Sequence, residues 1–149
     1  MRLSRNFTLK EFTKSYTAIK LGIKNEPNEE QIENMKALCN NVLQPTRDYY
    51  GKPVNVSSGF RSFALNTRRS GSSTSDHCNG KAGDLDNEED NPTLFFYIKE
   101  HLDFDQLIWE FGDEHCPDWI HVSFRAVGNR MQVLRTVREN DKVVYQPYI

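Results

Sequence analysis

Residues 75–84, SDHCNGKAGD, place a histidine and an aspartate in a segment with few bulky side chains. His77 and Asp84 are seven positions apart, and Gly80 and Gly83 lie between them. Three interpretations are open: a turn that contains a histidine, a hydrogen-bonded His–Asp pair, or two ligands of a metal ion. The glycines suit a backbone that turns tightly between two ligands. The spacing alone is a weak signal, so the choice depends on which other side chains face this segment.

A second histidine lies in a segment with the alternation of a β-strand. In residues 118–124, DWIHVSF, alternation places Trp119, His121 and Ser123 on one face and aliphatic or aromatic side chains on the other. The apolar face is expected to lie in the core, so His121 points away from the core. A single histidine of this kind is more often a hydrogen-bonded surface residue than a metal ligand.

The two segments become informative together if they share a sheet. Residues 82–86, AGDLD, also have the alternation of a β-strand, which places Asp84 and Leu85 on opposite faces. His77, Asp84 and His121 can then converge. Two neutral imidazoles and one carboxylate, with a fourth position open to water, form the usual ligand set of catalytic zinc. The chain has no HExxH helix, so zinc chemistry would need a different scaffold.

In the rest of the chain, the sequence predicts helices in the N-terminal part and mainly strands in the second half. A helix is expected from about residue 9 to before Gly22, and a second from an N-cap at Asn28 toward Gly51, with a kink or break at Pro45. Further elements are a strand at 54–60, a short helix at 64–69, a helix at 91–101, strands at 106–111 and 119–124, and a hairpin of 131–138 with 142–145. This order predicts an α+β fold with a small, mostly antiparallel sheet.

Composition limits the classes of protein. A length of 149 residues predicts one domain, residues 1–149, and the net charge of −2 gives no support for nucleic acid or anionic membrane as a partner. No apolar run approaches the length of a membrane span, and no signal peptide is recognisable, so synthesis in the cytoplasm is expected. Three cysteines without CxxC spacing encode neither a disulfide framework nor a four-cysteine zinc site. We expect a monomer.

These residues carry a resemblance to a known family. SDHCNGKAGD resembles the SxHxxGxAxD motif of the M15 zinc peptidases, which include D-alanyl-D-alanine carboxypeptidases and phage L-alanyl-D-glutamate endopeptidases. DWIH at 118–121 resembles the second motif, a carboxylate three residues before a histidine, and SSGFRS at 57–62 resembles the SGxR segment. NFTLKEFTKS and VLQPTRDYYG are similar to the compact, phage-associated branch, so the resemblance covers most of the chain.

The resemblance implies a role for individual residues. His77, Asp84 and His121 would bind zinc, and Asp118 would be the general base, with Glu110 in reserve because the side chain of Asp118 is short. Arg61 would bind a substrate carbonyl or carboxylate and stabilise the developing oxyanion. Ser75 and Trp119 are expected to contribute to substrate binding. The implied fold is that of the DD-peptidases and hedgehog domains, with the site on an antiparallel sheet.

The sequence therefore predicts a zinc peptidase that cleaves peptide stems or cross-links of bacterial peptidoglycan, of the phage endolysin type, made in the cytoplasm and acting on the wall after release. The bond cut, by a D,D-carboxypeptidase or an L,D-endopeptidase, stays open. The alternative is a noncatalytic zinc-binding module of the same fold. A nucleic-acid-binding domain that uses Arg68 and Arg69 is disfavoured by the overall acidity.

Overall fold

The computed structural model describes residues 1–69, 71–72 and 74–149. Its helices are α1 (Leu9–Thr13), α2 (Tyr16–Leu21), α3 (Glu29–Leu38), α4 (Gln44–Tyr50), α5 (Phe63–Arg68) and α6 (Asn91–His101). Its strands are β1 (Arg2–Ser4), β2 (Phe7–Thr8), β3 (Val56–Ser58), β4 (Ala82–Leu85), β5 (Gln106–Glu110), β6 (Trp119–Ser123), β7 (Gln132–Glu139) and β8 (Lys142–Pro147). Two 3₁₀ turns, Asp76–Asn79 and Glu88–Asp90, and a π-helical turn, Cys39–Leu43, complete the described elements. The prediction of an α+β fold is confirmed.

The N-terminal helical segment is divided, so the prediction of one helix up to Gly22 is wrong. Thr8 caps α1 by accepting a hydrogen bond from the Glu11 amide, and the backbone becomes extended again at Lys14. Ser15 then caps α2 by accepting from the Ala18 amide at 3.1 Å. A second capping side chain within the run satisfies the amides of a new helix start, and this competes with continuation of the first helix.

The next helical run confirms two of the predicted features. Asn28 and Gln31 form a reciprocal capping box at the start of α3. Before Pro45 the chain forms a π-helical turn, Cys39–Leu43, in which the Gln44 amide donates to the Cys39 carbonyl. Proline has no amide to donate and its ring displaces the preceding turn, and the wider π turn accommodates both effects. The predicted disturbance at Pro45 is therefore a π turn between α3 and α4.

A six-stranded mixed sheet carries the second half of the chain. Its strand order is β3-β4-β6-β5-β7-β8. β5 and β7 are parallel, whereas the other neighbouring pairs of this sheet are antiparallel. The parallel pair was not predicted. The predicted hairpin of β7 and β8 is confirmed, and it turns at Asn140 and Asp141, whose φ values of 51° and 63° suit a two-residue turn of the primed type.

The two faces of the sheet have different environments. Leu107 and Trp109 of β5 and Ile120 and Val122 of β6 are all at most 1% exposed, and they lie in one core with Phe95 of α6. The alternate residues of the same strands project from the opposite face. That face carries the polar side chains described below, so the helices cover one side of the sheet and leave the site on the other.

A buried carboxylate anchors the segment that follows β6. Asp105 is fully buried and accepts hydrogen bonds from Arg125 Nε at 3.0 Å and from Arg130 Nε and Nη2 at 3.0 and 2.7 Å. Hydrogen bonds from Arg130, reinforced by Arg125 and opposed by burial, hold the pKa of Asp105 well below its usual range. Arg125 also binds Asp76, which begins the 3₁₀ turn that contains His77, at 3.1 Å. The network thus ties the end of β6 to the His77 turn.

Asp105→Asn is expected to lower the free energy of unfolding at pH 7 by about 1–3 kcal/mol, because both arginines lose their charged acceptor. The lowered pKa of Asp105 stabilises the fold above the unfolded-state pKa of about 3.9, and this contribution is lost as pH falls through the folded-state pKa. The free energy of unfolding, measured with urea between pH 7 and pH 3, should therefore fall less on acidification in Asp105→Asn than in the wild type. Asp103→Asn, at an exposed neighbouring position, is the control. Equal curves for Asp105→Asn and the wild type would exclude the anchoring role.

Candidate metal centre

His77 is held in a fixed orientation and tautomer. It lies in the Asp76–Asn79 turn, where Ser75 Oγ accepts a hydrogen bond from the His77 amide at 3.2 Å. The ring is only 2% exposed, and its Nδ1 is 2.7 Å from the carbonyl oxygen of Gly59. A carbonyl can only accept, so Nδ1 carries the proton and Nε2 presents a lone pair. Gly80 closes the turn at φ +72°, where a Cβ would lie 2.4 Å from the Gln31 carbonyl oxygen.

Asp84 and His121 are brought together by sheet register. They are directly paired on the antiparallel strands β4 and β6. Asp84 Oδ1 lies 3.1 Å from His121 Nδ1 and 3.3 Å from His77 Nε2. One ligand atom from each of the three residues lies within 4.8 Å of the others. Burial acts to raise the pKa of Asp84, but the neighbouring His77 and the hydrogen bond from His121 outweigh it and hold that pKa well below the usual range.

This donor set fits a zinc ion. Zinc accepts imidazole nitrogen and carboxylate oxygen at about 2.0–2.2 Å, and two ligands of a tetrahedral ion at that distance are about 3.3–3.6 Å apart. The separations of Asp84 Oδ1 from the two imidazole nitrogens, 3.1 and 3.3 Å, are close to that value. The Gly59 carbonyl is the kind of partner that orients a metal-binding histidine. Three protein ligands leave a fourth position for water or substrate.

The three side chains line a groove of about 680 Å³ on the open face of the sheet. β4 and β6 contribute the cluster, and β5 contributes Gln106, Ile108 and Glu110. Sequence reasoning missed the wall formed by β7 and β8, which includes Leu134, Val143 and Tyr145. The hairpin of 131–138 with 142–145 was predicted, but the strand that pairs with β7 in the sheet could not be read from the sequence.

Glu110 is the carboxylate that enters this groove beside the cluster. It pairs with Trp119, two residues before His121 on the neighbouring strand, so Glu110 and His121 are diagonal neighbours on one face. Glu110 is 9% exposed, and its Oε1 accepts a hydrogen bond from the fully buried Thr136 at 2.9 Å. Burial raises the pKa of Glu110, and the Thr136 hydrogen bond opposes this effect. Thr136 thus orients a carboxylate toward the groove, and no local sequence pattern indicated this contact.

Asp118 has a different environment. It is exposed and precedes β6 by one residue. It lines a separate depression together with Gly112 and Arg138, and it does not line the groove that contains His77, Asp84 and His121. Of the two carboxylates considered for the base, the structure brings Glu110 to the cluster.

Arg61 is a free donor in the groove. Its amide donates to the His77 carbonyl at 3.2 Å, which fixes its backbone beside the cluster. Its Nε is buried, and within the described part of the chain it has no hydrogen-bond partner. Burial lowers the pKa of Arg61, whereas nearby Asp84 acts to raise it. A buried donor without a partner is costly, so the guanidinium is suited to donate a hydrogen bond to an oxygen of a ligand in the groove.

The other predicted site residues also lie in the groove. Ser75 and Trp119 line it, and the Trp119 ring packs against Phe111 with centroids 5.5 Å apart. Cys78 follows His77 directly, but burial raises the pKa of its thiol, and a protonated thiol is a poor nucleophile.

The fold and the site together define a candidate metal-dependent hydrolase, with two histidines and an aspartate on the open face of a sheet. The family model described as Peptidase M15 matches residues 5–123, and the chain belongs to this peptidase family. The match includes His77, Asp84, Glu110 and His121 but ends before β7. No curated protein matches the chain. In the described residues, no helix has the length and apolar character needed to cross a membrane.

Proposed function

We propose that the protein is a zinc-dependent peptidase that cleaves peptide stems or cross-links of bacterial peptidoglycan. The observation that carries this proposal is the presence of Glu110 in the same groove as the ligand atoms of His77, Asp84 and His121. A noncatalytic module would need the cluster but no carboxylate poised beside it. The family match supports a peptidase, and the motif resemblance supports peptidoglycan as substrate and a role of the phage endolysin type.

We assign the whole chain, residues 1–149, to one peptidase domain. β7 and β8 lie beyond the family match, yet they continue the same sheet and line the same groove. Thr136 of β7 also contacts the proposed base. These contacts support a single unit that we expect to act as a monomer on the bacterial cell wall.

In the proposed mechanism, His77 Nε2, His121 Nδ1 and a carboxylate oxygen of Asp84 would hold the zinc. A zinc ion supplies a Lewis acid for the scissile carbonyl and lowers the pKa of bound water from about 15.7 to about 7. Glu110 accepts a proton from the attacking water and delivers it to the leaving nitrogen. Thr136 holds the Glu110 carboxylate in position, and Arg61 donates to the oxygen that becomes negative. Trp119 and Ser75 form parts of the groove wall that contact the peptide.

Digestion of purified peptidoglycan tests the proposal. Zinc-loaded protein is expected to release new peptide products, and their masses and new termini identify the bond, whether D,D or L,D. A chelator should stop product formation, and added zinc should restore it. If zinc-loaded, folded protein releases no product from any wall type tested, the noncatalytic module is the correct function.

Arg61→Ala is expected to lower kcat about 10²–10³-fold, as loss of an oxyanion donor does in other enzymes. Arg61→Lys should also be impaired, because lysine keeps the charge but loses the planar, two-pronged donor geometry. Steady-state kinetics on the peptide identified in the digest measures both effects, and the thermal unfolding midpoint checks that the fold is retained. Wild-type kinetics in both variants would leave Arg61 with a structural role only.

A further inference from the structure

The candidate active-site groove has an uncharged wall on the far side of the proposed base. The hairpin of β7 and β8, whose residues are all described, lines the groove with Leu134, Val143 and Tyr145 and with no charged side chain. Val143 and Tyr145 are 46% and 60% exposed, so two large side chains of one strand present apolar surface beside the site instead of in the core. Exposed apolar surface next to a groove is typical of a ligand-binding wall. The family match ends at residue 123, so this wall lies outside it.

Sheet register places Tyr145 in line with Glu110. Tyr145 pairs with Thr136 on β7, and Thr136 pairs with Glu110 on β5. Directly paired residues share one face of a sheet, so these three side chains form a row across three strands, with the fully buried Thr136 between the two longer ones. Neighbouring strands are about 4.8 Å apart, so the backbones of Glu110 and Tyr145 are separated by about 10 Å. An extended peptide of about three residues spans that distance.

The Tyr145 side chain offers both an apolar ring and a hydrogen-bond donor. Burial raises the pKa of Tyr145, and the carboxylates of Glu110 and Asp84 act in the same direction. The phenol therefore keeps its proton at neutral pH and can donate to a peptide carbonyl. Cross-strand packing on Thr136 accounts for the ring, since aromatic and β-branched residues stabilise each other as paired neighbours. Such packing does not need the hydroxyl, so loss of the hydroxyl alone separates a binding role from a packing role.

The order of the strands decides which half of the substrate reaches this wall. Arg61 follows β3, on one side of the metal cluster, whereas Glu110 belongs to β5, on the other side. In the proposed mechanism Arg61 donates to the carbonyl oxygen, and Glu110 delivers a proton to the leaving nitrogen. The leaving nitrogen therefore lies toward β5, and the chain that follows it continues over β7 toward β8.

We infer that Tyr145 binds the leaving half of the substrate, with its hydroxyl donating to a backbone carbonyl and its ring packing, beside Val143, on the peptide. This inference rests on the proposed peptidase function and adds a substrate-binding residue from the part of the chain beyond the family match. It also specifies the substrate class: the segment that follows the cleaved bond is uncharged where it crosses β8, because that wall offers no charged partner.

Tyr145→Phe tests the inference on the peptide identified in the peptidoglycan digest. KM is expected to rise about 2- to 10-fold while kcat stays near the wild-type value, because the lost hydrogen bond is remote from the reacting atoms and is made equally in the bound substrate and the transition state. Tyr49→Phe is the matched control: Tyr49 is also 60% exposed, but it lies on α4 and does not line the groove. Both variants should keep the wild-type unfolding midpoint.

The two cleavage products show which half of the substrate Tyr145 contacts. Each product is added as an inhibitor of the zinc-loaded protein. In Tyr145→Phe, the inhibition constant of the product with the new amino terminus should rise about 2- to 10-fold, and that of the product with the new carboxylate should not change. A rise for the carboxylate product alone would place Tyr145 on the other half of the substrate and overturn the inference. Wild-type constants for both products would leave Tyr145 with a packing role only.

These outcomes are distinct from failure of the proposed function. If the wild type releases nothing from peptidoglycan, the peptidase proposal fails, and the role of Tyr145 fails with it. If the wild type cleaves and Tyr145→Phe matches it in KM and in both inhibition constants, the peptidase stands and the inference about Tyr145 is wrong.

Discussion

His121→Ala is expected to reduce bound zinc from about one ion per chain to near zero and hydrolysis to background. His121 Nδ1 and His77 Nε2 both contact Asp84 Oδ1, at 3.1 and 3.3 Å, so removal of one imidazole leaves an incomplete two-ligand set. Elemental analysis after dialysis measures the metal directly. His115→Ala removes an exposed histidine outside the cluster and should keep both zinc and activity.

Thermal unfolding gives a second measurement of the same assignment. A metal that binds only the folded state raises its stability by mass action. Added zinc should therefore raise the unfolding midpoint of the wild type and of His115→Ala, but not that of His121→Ala. If His121→Ala retains zinc at the wild-type level, the assignment of His77, Asp84 and His121 as ligands is wrong.

The positions of the cluster residues follow from local rules that can be read in a sequence. Alternation separated His121 from its aliphatic neighbours, and Gly80 indicated the tight turn after His77. These features depend on residues near one another in the chain. The register that pairs Asp84 with His121 was assumed, and the structure contains that pair. Their role as metal ligands stays a proposal.

Features that depend on distant residues could not be predicted in the same way. The parallel pairing of β5 with β7 connects segments that no local pattern links, and this pairing brings Thr136 to Glu110. The division of the first helix at Ser15 depended on whether Ser15 caps a new helix or the first helix continues through it. For the base, the motif resemblance pointed to Asp118, which precedes β6 and does not line the groove, and its role stays a prediction.

Glu110→Gln is expected to lower kcat about 10²–10⁴-fold while leaving zinc content and the unfolding midpoint near wild-type values. Glutamine is nearly isosteric and its amide oxygen can still accept the hydrogen bond from Thr136, so the fold and the groove should persist. The amide cannot accept a proton from water, and only the chemical step is lost. Asp118→Asn, made at an exposed carboxylate outside the groove, should retain most activity.

Steady-state kinetics and metal analysis on the same two preparations separate the possible results. Full activity in Glu110→Gln together with an inactive, zinc-loaded Asp118→Asn would make Asp118 the base, and it would require the segment before β6 to turn toward His121 during catalysis. Asp118→Glu should then be partly active, because its longer carboxylate reaches further. If cleavage is established and both single variants remain fully active, neither carboxylate is the general base. Of these two carboxylates, Glu110 is expected to be the essential one because it combines burial, an orienting hydrogen bond and a place beside the cluster.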